Sequence, residues 1–420
     1  MATSPLHARL ILPRLIDALK DTPVVLVHGP RQCGKTTLAR LVGDAAGYTY
    51  LDLDDEVRRA SARADPMGFI DDLPKKVVLD EIQRVPELFT SIKAAVDRDR
   101  MPGRFILTGS ANVLLLPRLS DSLAGRLEVL RLHPLAQAEL VPKTRSSQGS
   151  PFLTALFDNG FRTGSRPRMG RELIERVVAG GYPAALARPS ASRRASWYRE
   201  YIDALMQRDV RDLARISALD AMPRLLTLAA GQTARLVNVA DLASPFHLSR
   251  PTIHNYIELL ARVFLLEYLP PWHTNRISRL IKSPKLHLGD TGVACALLNV
   301  NTDALIADRT LFGQLLETFI FQELRRQASW LDSRISFHHF RDKDGAEVDM
   351  VIEHSGQQIA GIEIKAAATV TNADFRGLNK LKELAGKRFK AGVILYDGEA
   401  TAPFGENLYA VPIRRLWEKL

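Results

Sequence analysis

The stretch Gly29-Pro30-Arg31-Gln32-Cys33-Gly34-Lys35-Thr36-Thr37 carries G-x-x-x-x-G-K-T at full spacing. In such a loop the backbone amides turn inward. With the start of the following helix they form a pocket of partial positive charge suited to phosphate oxygens. Lys35 is placed to reach the β- and γ-phosphates, and Thr36 to offer a hydroxyl to Mg²⁺. The chemistry implied is binding of ATP with Mg²⁺, and all nine residues are candidate contacts. Arg31 is in addition a candidate for touching a phosphate or a partner.

A second set follows in Lys76-Val77-Val78-Leu79-Asp80-Glu81, an apolar run closed by two acids. Asp80 is the candidate holder of Mg²⁺, through water or Thr36, and Glu81 the candidate base that orients and deprotonates water. Neighbouring strand residues face opposite ways, so both acids serve one site only if the strand ends there. Phe105-Ile106-Leu107-Thr108-Gly109-Ser110-Ala111-Asn112 reads as an adjacent strand with a polar tip, where Ser110 or Thr108 would sense the γ-phosphate or position water. Arg126 is a candidate for offsetting transition-state charge, in cis or across a subunit interface. A plain surface or structural arginine is an equal reading.

A third set lies near the C-terminus. Glu347 and Asp349 are two apart in a strand-like segment, and Glu363 and Lys365 are two apart in another, so each pair shares one face. Glu317, on an amphipathic helix, can approach the same edge. Carboxylates beside a lysine suit metal-dependent phosphodiester hydrolysis, with Glu317, Asp349 and Glu363 as metal ligands and Glu363 with Lys365 as catalytic groups. The D…E-x-K spacing is weakly specific, because acid and lysine alternate on many exposed strands.

The elements that must position these groups follow from periodicity. Val24–His28, Tyr48–Leu53, Val77–Leu79, Phe105–Thr108 and Leu127–Leu132 are short apolar runs separated by helical stretches. That alternation predicts a parallel sheet covered on both faces, with ligands at the carboxyl ends of its strands. Residues 141–170 and 188–196 are rich in Ser, Gly, Pro and Arg and read as connections, the first with one short helix at Pro151–Phe157. Trp197 through Ile216 reads as one long amphipathic helix. Val239–Leu242, a turn, a Ser249-capped helix burying Ile253, Ile257 and Leu260, and a strand Val263–Leu269 outline a winged helix-turn-helix. Arg250, His254 and Asn255 would then be available to a groove. Beyond residue 305, a helix Thr310–Gln327, strands near Ile335–Phe340, Glu347–Glu353 and Gln358–Lys365, a helix Phe375–Leu384 and a strand Gly392–Tyr396 form an α/β unit.

The 420 residues carry 57 basic against 47 acidic side chains, a formal charge of +10. That excess favours a polyanionic partner, nucleic acid above all. Two cysteines, Cys33 and Cys295, with one of them inside the phosphate loop, point away from a structural disulfide and toward the cytoplasm. The N-terminus has charges scattered through it, unlike a signal peptide, and no run nears the ~18 apolar residues of a membrane span.

The blocks GPRQCGKTTL, VVLDEIQRVP, FILTGSAN, SLAGRLEVLRLHPLAQAEL, YIDALMQRDVRDLA, SPKLHLGDTGVACALL, GQLLETFIFQEL and EVDMVIE…GIEIKAAA stand in a characteristic order. With them the chain resembles, over nearly its whole length, a large bacterial and archaeal family. Its members join an AAA-type P-loop ATPase to a C-terminal domain of unknown function similar to restriction-endonuclease (PD-(D/E)xK) folds. The resemblance implies an α/β chain of four parts: a P-loop ATPase domain at 1–140, a linker and helical region at 141–230, a winged helix-turn-helix at 231–304, and a restriction-endonuclease-like domain at 305–420. It gives ATPase roles to Lys35, Thr36, Asp80 and Glu81, and nuclease-like positions to Glu317, Asp349, Glu363 and Lys365. The expected activity is Mg-dependent ATP hydrolysis whose nucleotide state controls a nucleic-acid-binding or nuclease-like domain. The competing expectation is a nucleotide-gated scaffold whose nuclease-like domain cuts nothing and acts through protein partners. A homo-oligomer is compatible with either.

Overall fold

Five runs in the first third of the chain become strands, the central three with both faces covered and the two at the edges half-buried. In the computed structural model, β1 (Val24–His28), β2 (Thr49–Asp52), β3 (Val77–Asp80), β4 (Phe105–Gly109) and β5 (Leu127–Arg131) form a sheet in the order β2–β3–β4–β1–β5. All its pairings are parallel, and every residue of β1, β3 and β4 is buried. Near-continuous apolar strands of this kind need helices on both sides. Helices Lys35–Ala46 and Leu88–Arg98 are among the crossovers, and Phe89, Ile92, Val96, Leu79 and Leu107 share one core. The topology puts the phosphate loop at the carboxyl end of β1, beside the ends of β3 and β4.

The structure describes residues 7–110, 123, 125–141, 152–158, 160–210, 220–246, 248–275, 279, 283–331 and 334–418. Among the expectations, Ala111 and Asn112 at the tip after β4, residues 142–151 of the 141–170 connection, and residues 211–216 of the long helix lie outside them. The chain divides into two units. The first runs to Leu135 and takes in Arg262–Phe264; the second comprises 136–261 and 265–420. The segments expected as 141–230, 231–304 and 305–420 thus lie almost wholly in one unit.

In that second unit the helix around Trp197 spans Ala191–Leu205 and passes into a wider turn, Met206–Val210. Asn238 caps a short helix Val239–Ala243. After the turn Ser244–Phe246, Ser249 Oγ accepts the Thr252 amide at 3.3 Å at the start of helix Arg250–Arg262. That helix buries Ile253, Ile257 and Leu260 as its period requires. It stops where Phe264 takes a left-handed φ of 63°, so the strand that follows, β8 (Leu266–Leu269), starts three residues later than expected. Two further strands complete a small antiparallel sheet in the order β7–β9–β8, with β7 at Arg235–Leu236 and β9 at Lys285–Leu288.

A seven-stranded mixed sheet carries the C-terminal constellation. Its order is β10–β11–β12–β13–β15–β14–β6, with β6 at Gly164–Ser165, β10 at Ile335–Arg341, β11 at Glu347–His354, β12 at Gln358–Lys365, β13 at Phe389–Tyr396, β14 at Ala400–Gly405 and β15 at Leu408–Pro412. Strands β6, β14 and β15 were not anticipated. Helix Arg309–Ser329, capped by Asp308, and helix Arg376–Ala385 flank this part of the chain. Asp290 ties the unit together from a buried position. Its carboxylate accepts from Gly181 N and Gly292 N at 2.9 Å each and from Arg326 Nη2 at 2.9 Å. Among the described residues no helix is long and apolar enough to cross a membrane.

Candidate functional site

The phosphate loop is shaped by backbone conformations that few residues adopt. Gln32 and Gly34 have φ of 61° and 103°, in the left-handed region. A Cβ on Gly29 would lie 2.0 Å from the Leu132 carbonyl oxygen, so only glycine allows the loop to leave β1 this close to the chain after β5. Arg9 braces the loop from the N-terminal segment: its guanidinium donates to Cys33 O and His133 O, both at 2.7 Å. Cys33 is fully buried and its thiol donates weakly to Leu132 O at 3.4 Å. Burial pushes that thiol up, so it stays protonated and unreactive. Lys35 is 4% exposed and donates to Pro30 O at 2.9 Å, folding its ammonium across the loop that it would share with phosphates.

Thr36 Oγ1 donates to Asp80 Oδ2 at 2.8 Å, which joins the loop to the end of β3. Asp80 is the meeting point of three hydroxyls, because Tyr50 from β2 and Thr108 from β4 also donate to its carboxylate. Burial, followed by the hydrogen bond to Asp80, holds the Tyr50 phenol well above its ordinary value, so it stays a donor. A hard divalent cation takes carboxylate and hydroxyl oxygens with phosphates and water completing its shell. Thr36 and Asp80 fit that donor set and would hold Mg²⁺, which would supply positive charge against that of the phosphates.

Strand β3 ends at Asp80, and Glu81 takes a left-handed backbone with φ of 57°. This meets the condition for two consecutive acids to serve one site. A non-glycine residue in that region costs about 1–3 kcal/mol, a strain that clusters at functional sites. The conformation is held by the Glu81 amide donating to Thr108 Oγ1 at 3.1 Å. Gln83 then donates to the Glu81 carboxylate and, at 2.9 Å, to Ser110 Oγ, so Ser110 sits beside the candidate base. Tyr50, Gln83 and Arg9 were not assigned roles in advance; nothing in their local spacing marks them.

One expectation, a cis role for Arg126, is corrected by placement. Arg126 precedes β5, whose first residue pairs with Val24 at the start of β1, and its carbonyl accepts the Val24 amide at 3.2 Å. Four residues of strand, about 13 Å, separate that edge from the phosphate loop. Arg126 also pairs with Asp97. It therefore offers no cis contact to a phosphate in this loop. Arg31 is turned to Asp54 at 3.6 Å, a carboxylate it shares with Arg84 at 2.8 Å.

In the second unit the acids do gather, but around a different lysine. Lys285 Nζ, from β9, lies 2.9 Å from Glu317 Oε1, 3.0 Å from Glu347 Oε1 and 3.4 Å from Asp349 Oδ1. Lys365, the expected catalytic lysine, instead pairs with Asp374 at 2.8 Å, which raises its pKa. Burial alone would lower the Lys285 ammonium, but Asp349, Glu317 and Glu347 together outweigh it and keep it charged. Burial and Asp349 raise the Glu317 carboxyl well above the usual range and push Glu363 up to about 9. Among the described residues no three or more His, Cys, Asp or Glu are grouped as metal ligands.

The fold and the loop define an AAA-type P-loop ATPase domain, and residues 21–141 match the AAA domain family. Residues 170–304 and 312–416 match two domains of unknown function. Two uncharacterized proteins, of Mycobacterium tuberculosis and Mycobacterium bovis, are 31% identical to the chain over 400 residues, covering 95% of it and 82% of each of them. The chain belongs to their family. Among solved structures, a Walker-type ATPase of Pyrococcus abyssi is 17% identical, with a TM-score of 0.43 over 70% of this chain and 96% of that one.

Proposed function

We propose that the protein is a Mg²⁺-dependent ATP hydrolase. The observation that carries this reading is the direct hydrogen bond between Thr36 of the loop and Asp80 of β3, with Glu81 turned out of the strand beside it. In this reading residues 29–37 hold the phosphates, Lys35 leaves Pro30 O for the β- and γ-oxygens, and Glu81 orients the attacking water and takes its proton. Gln83 and Ser110 set the direction of the Glu81 carboxylate. ATP turnover by the purified chain tests it. Lys35→Ala is expected to abolish turnover and weaken binding, while Glu81→Gln keeps binding and loses about 10²–10⁴-fold in rate. Turnover unchanged in both variants ends the reading.

What hydrolysis controls is the second part of the proposal. The basic excess supports a nucleic acid as partner of the second unit, with the helix pair at 239–262 as its candidate reader. Stimulation of turnover by DNA or RNA is the expected sign. A second reading, a nucleotide-gated scaffold without nuclease activity, is favoured by one observation: the acids expected to hold a metal enclose Lys285. Gel analysis of the same nucleic acids after incubation with Mg²⁺ separates the two.

A further inference from the structure

Divalent-metal chemistry at the C-terminal acids requires that they be free to close on an ion. They are not. Lys285 is 3% exposed, and its ammonium takes one oxygen each from Glu317, Glu347 and Asp349. The other oxygen of Asp349, Oδ2, accepts the Ile364 amide at 2.9 Å. Ammonium contacts of this length are roughly an ångström longer than the ~2.0–2.1 Å that Mg²⁺ demands. The two cations would also repel each other at any distance that lets them share these oxygens. Glu363, the remaining acid, has a buried Oε2 without a hydrogen-bond partner, and Lys365 is committed to Asp374. The residues present therefore do not fit a metal centre.

We infer that Lys285 stands in the place of the divalent cation, so that this cluster is an internal salt-bridged lock and not a phosphodiesterase centre. The lock joins three stretches far apart in sequence: β9, the helix Arg309–Ser329 and β11. Its lysine comes from the segment preceding the C-terminal domain, 32 residues before Glu317 and 64 before Asp349. The inference does not depend on the ATPase reading. It deepens the scaffold reading of the second unit by naming what occupies the acids.

The test is Mn²⁺ binding to the nucleotide-free full-length chain, measured by calorimetry and by the loss of the free-Mn²⁺ resonance signal. Wild type is expected to show no Mn²⁺ site that Asp349→Asn removes. Lys285→Met is expected to gain one Mn²⁺ per chain, and Asp349→Asn in that background to abolish it. A Mn²⁺ site in wild type that Asp349→Asn removes overturns the inference, as does a folded Lys285→Met protein that gains none. If that variant is too unstable to purify, Lys285→Met with Glu347→Gln, which removes one acid with the lysine, carries the same two outcomes. If neither folds, the wild-type comparison decides alone. A scaffold partner that never appears would sink the scaffold reading and leave these binding results standing.

Discussion

Asp80 shows how one carboxylate is prepared for its task. Thr36, Tyr50 and Thr108 each give it a hydroxyl hydrogen, so its two oxygens are aimed before any ligand arrives. Thr36 follows from the phosphate-loop pattern and Thr108 from the polar tip of its strand, but Tyr50 follows from neither. It comes from β2, thirty residues away, and its ring lies under Arg40, whose guanidinium carbon is 3.9 Å from the ring centroid. Tyr50→Phe keeps that packing and deletes only the hydroxyl. A hydrogen bond to a charged acceptor contributes about 1.5–3 kcal/mol. Turnover at limiting Mg²⁺ is expected to fall about tenfold, with much of the loss recovered at saturating Mg²⁺. Steady-state rates across a Mg²⁺ series check this, and an unchanged series would remove Tyr50 from the site. The contrast with Lys35 and Thr36 explains what is legible in sequence. Those two act from a loop whose spacing is its own signature, whereas Tyr50, Gln83 and Lys285 act through partners brought together by folding.

At the scale of elements, the strands with both faces covered were read with small boundary errors, since continuous apolar runs between turn signals have few other interpretations. The small sheet was read only in part. Leu266–Leu269 is visible as a run, but its partner Lys285–Leu288 mixes lysine and histidine into a strand that is wholly buried. Polar residues there make sense only once the acids facing Lys285 and the Thr318 hydroxyl 3.1 Å from His287 Nδ1 are known. Close approach of elements is equally invisible in sequence. Gly377, in the helix Arg376–Ala385, leaves no room for a Cβ, which would lie 1.9 Å from the Glu347 carbonyl oxygen. Gly377→Ala must therefore push that helix off the start of β11, at a cost of about 1–3 kcal/mol. Thermal denaturation is expected to show the loss, and an unshifted melting curve would mean the helix relaxes freely. The same substitution is expected to leave ATP turnover intact, because the phosphate loop belongs to the other unit.

For the molecule as a whole, the excess of basic residues is a net figure that hides a buried acidic knot. Four carboxylates, Glu317, Glu347, Asp349 and Glu363, outnumber the two ammoniums that act on them, Lys285 and Lys365, and Lys365 is already paired with Asp374. Glu317, raised well above the usual range by burial and by Asp349, feels this shortage, and so does Glu363, pushed up to about 9 by the same causes. Between its unfolded value of 4.5 and that folded value, the folded chain keeps a proton that the unfolded chain has released. Stability from this group is therefore fully present below about pH 4.5 and is lost as pH rises toward 9. His287 and His339, both held below their ordinary value by burial, act in the opposite sense, but only as pH falls through 6.5 and below. Glu317 and Glu323, both raised by burial, act in the same sense as Glu363, so the comparison with a neutral residue at 363 is what isolates it. From pH 7 to 9 the wild-type melting temperature is expected to decline, and Glu363→Gln, which stays neutral, to decline less and to melt a few degrees higher at pH 9. Parallel slopes for the two proteins would show that Glu363 is ionised in the folded chain, and that the knot finds its missing positive charge elsewhere.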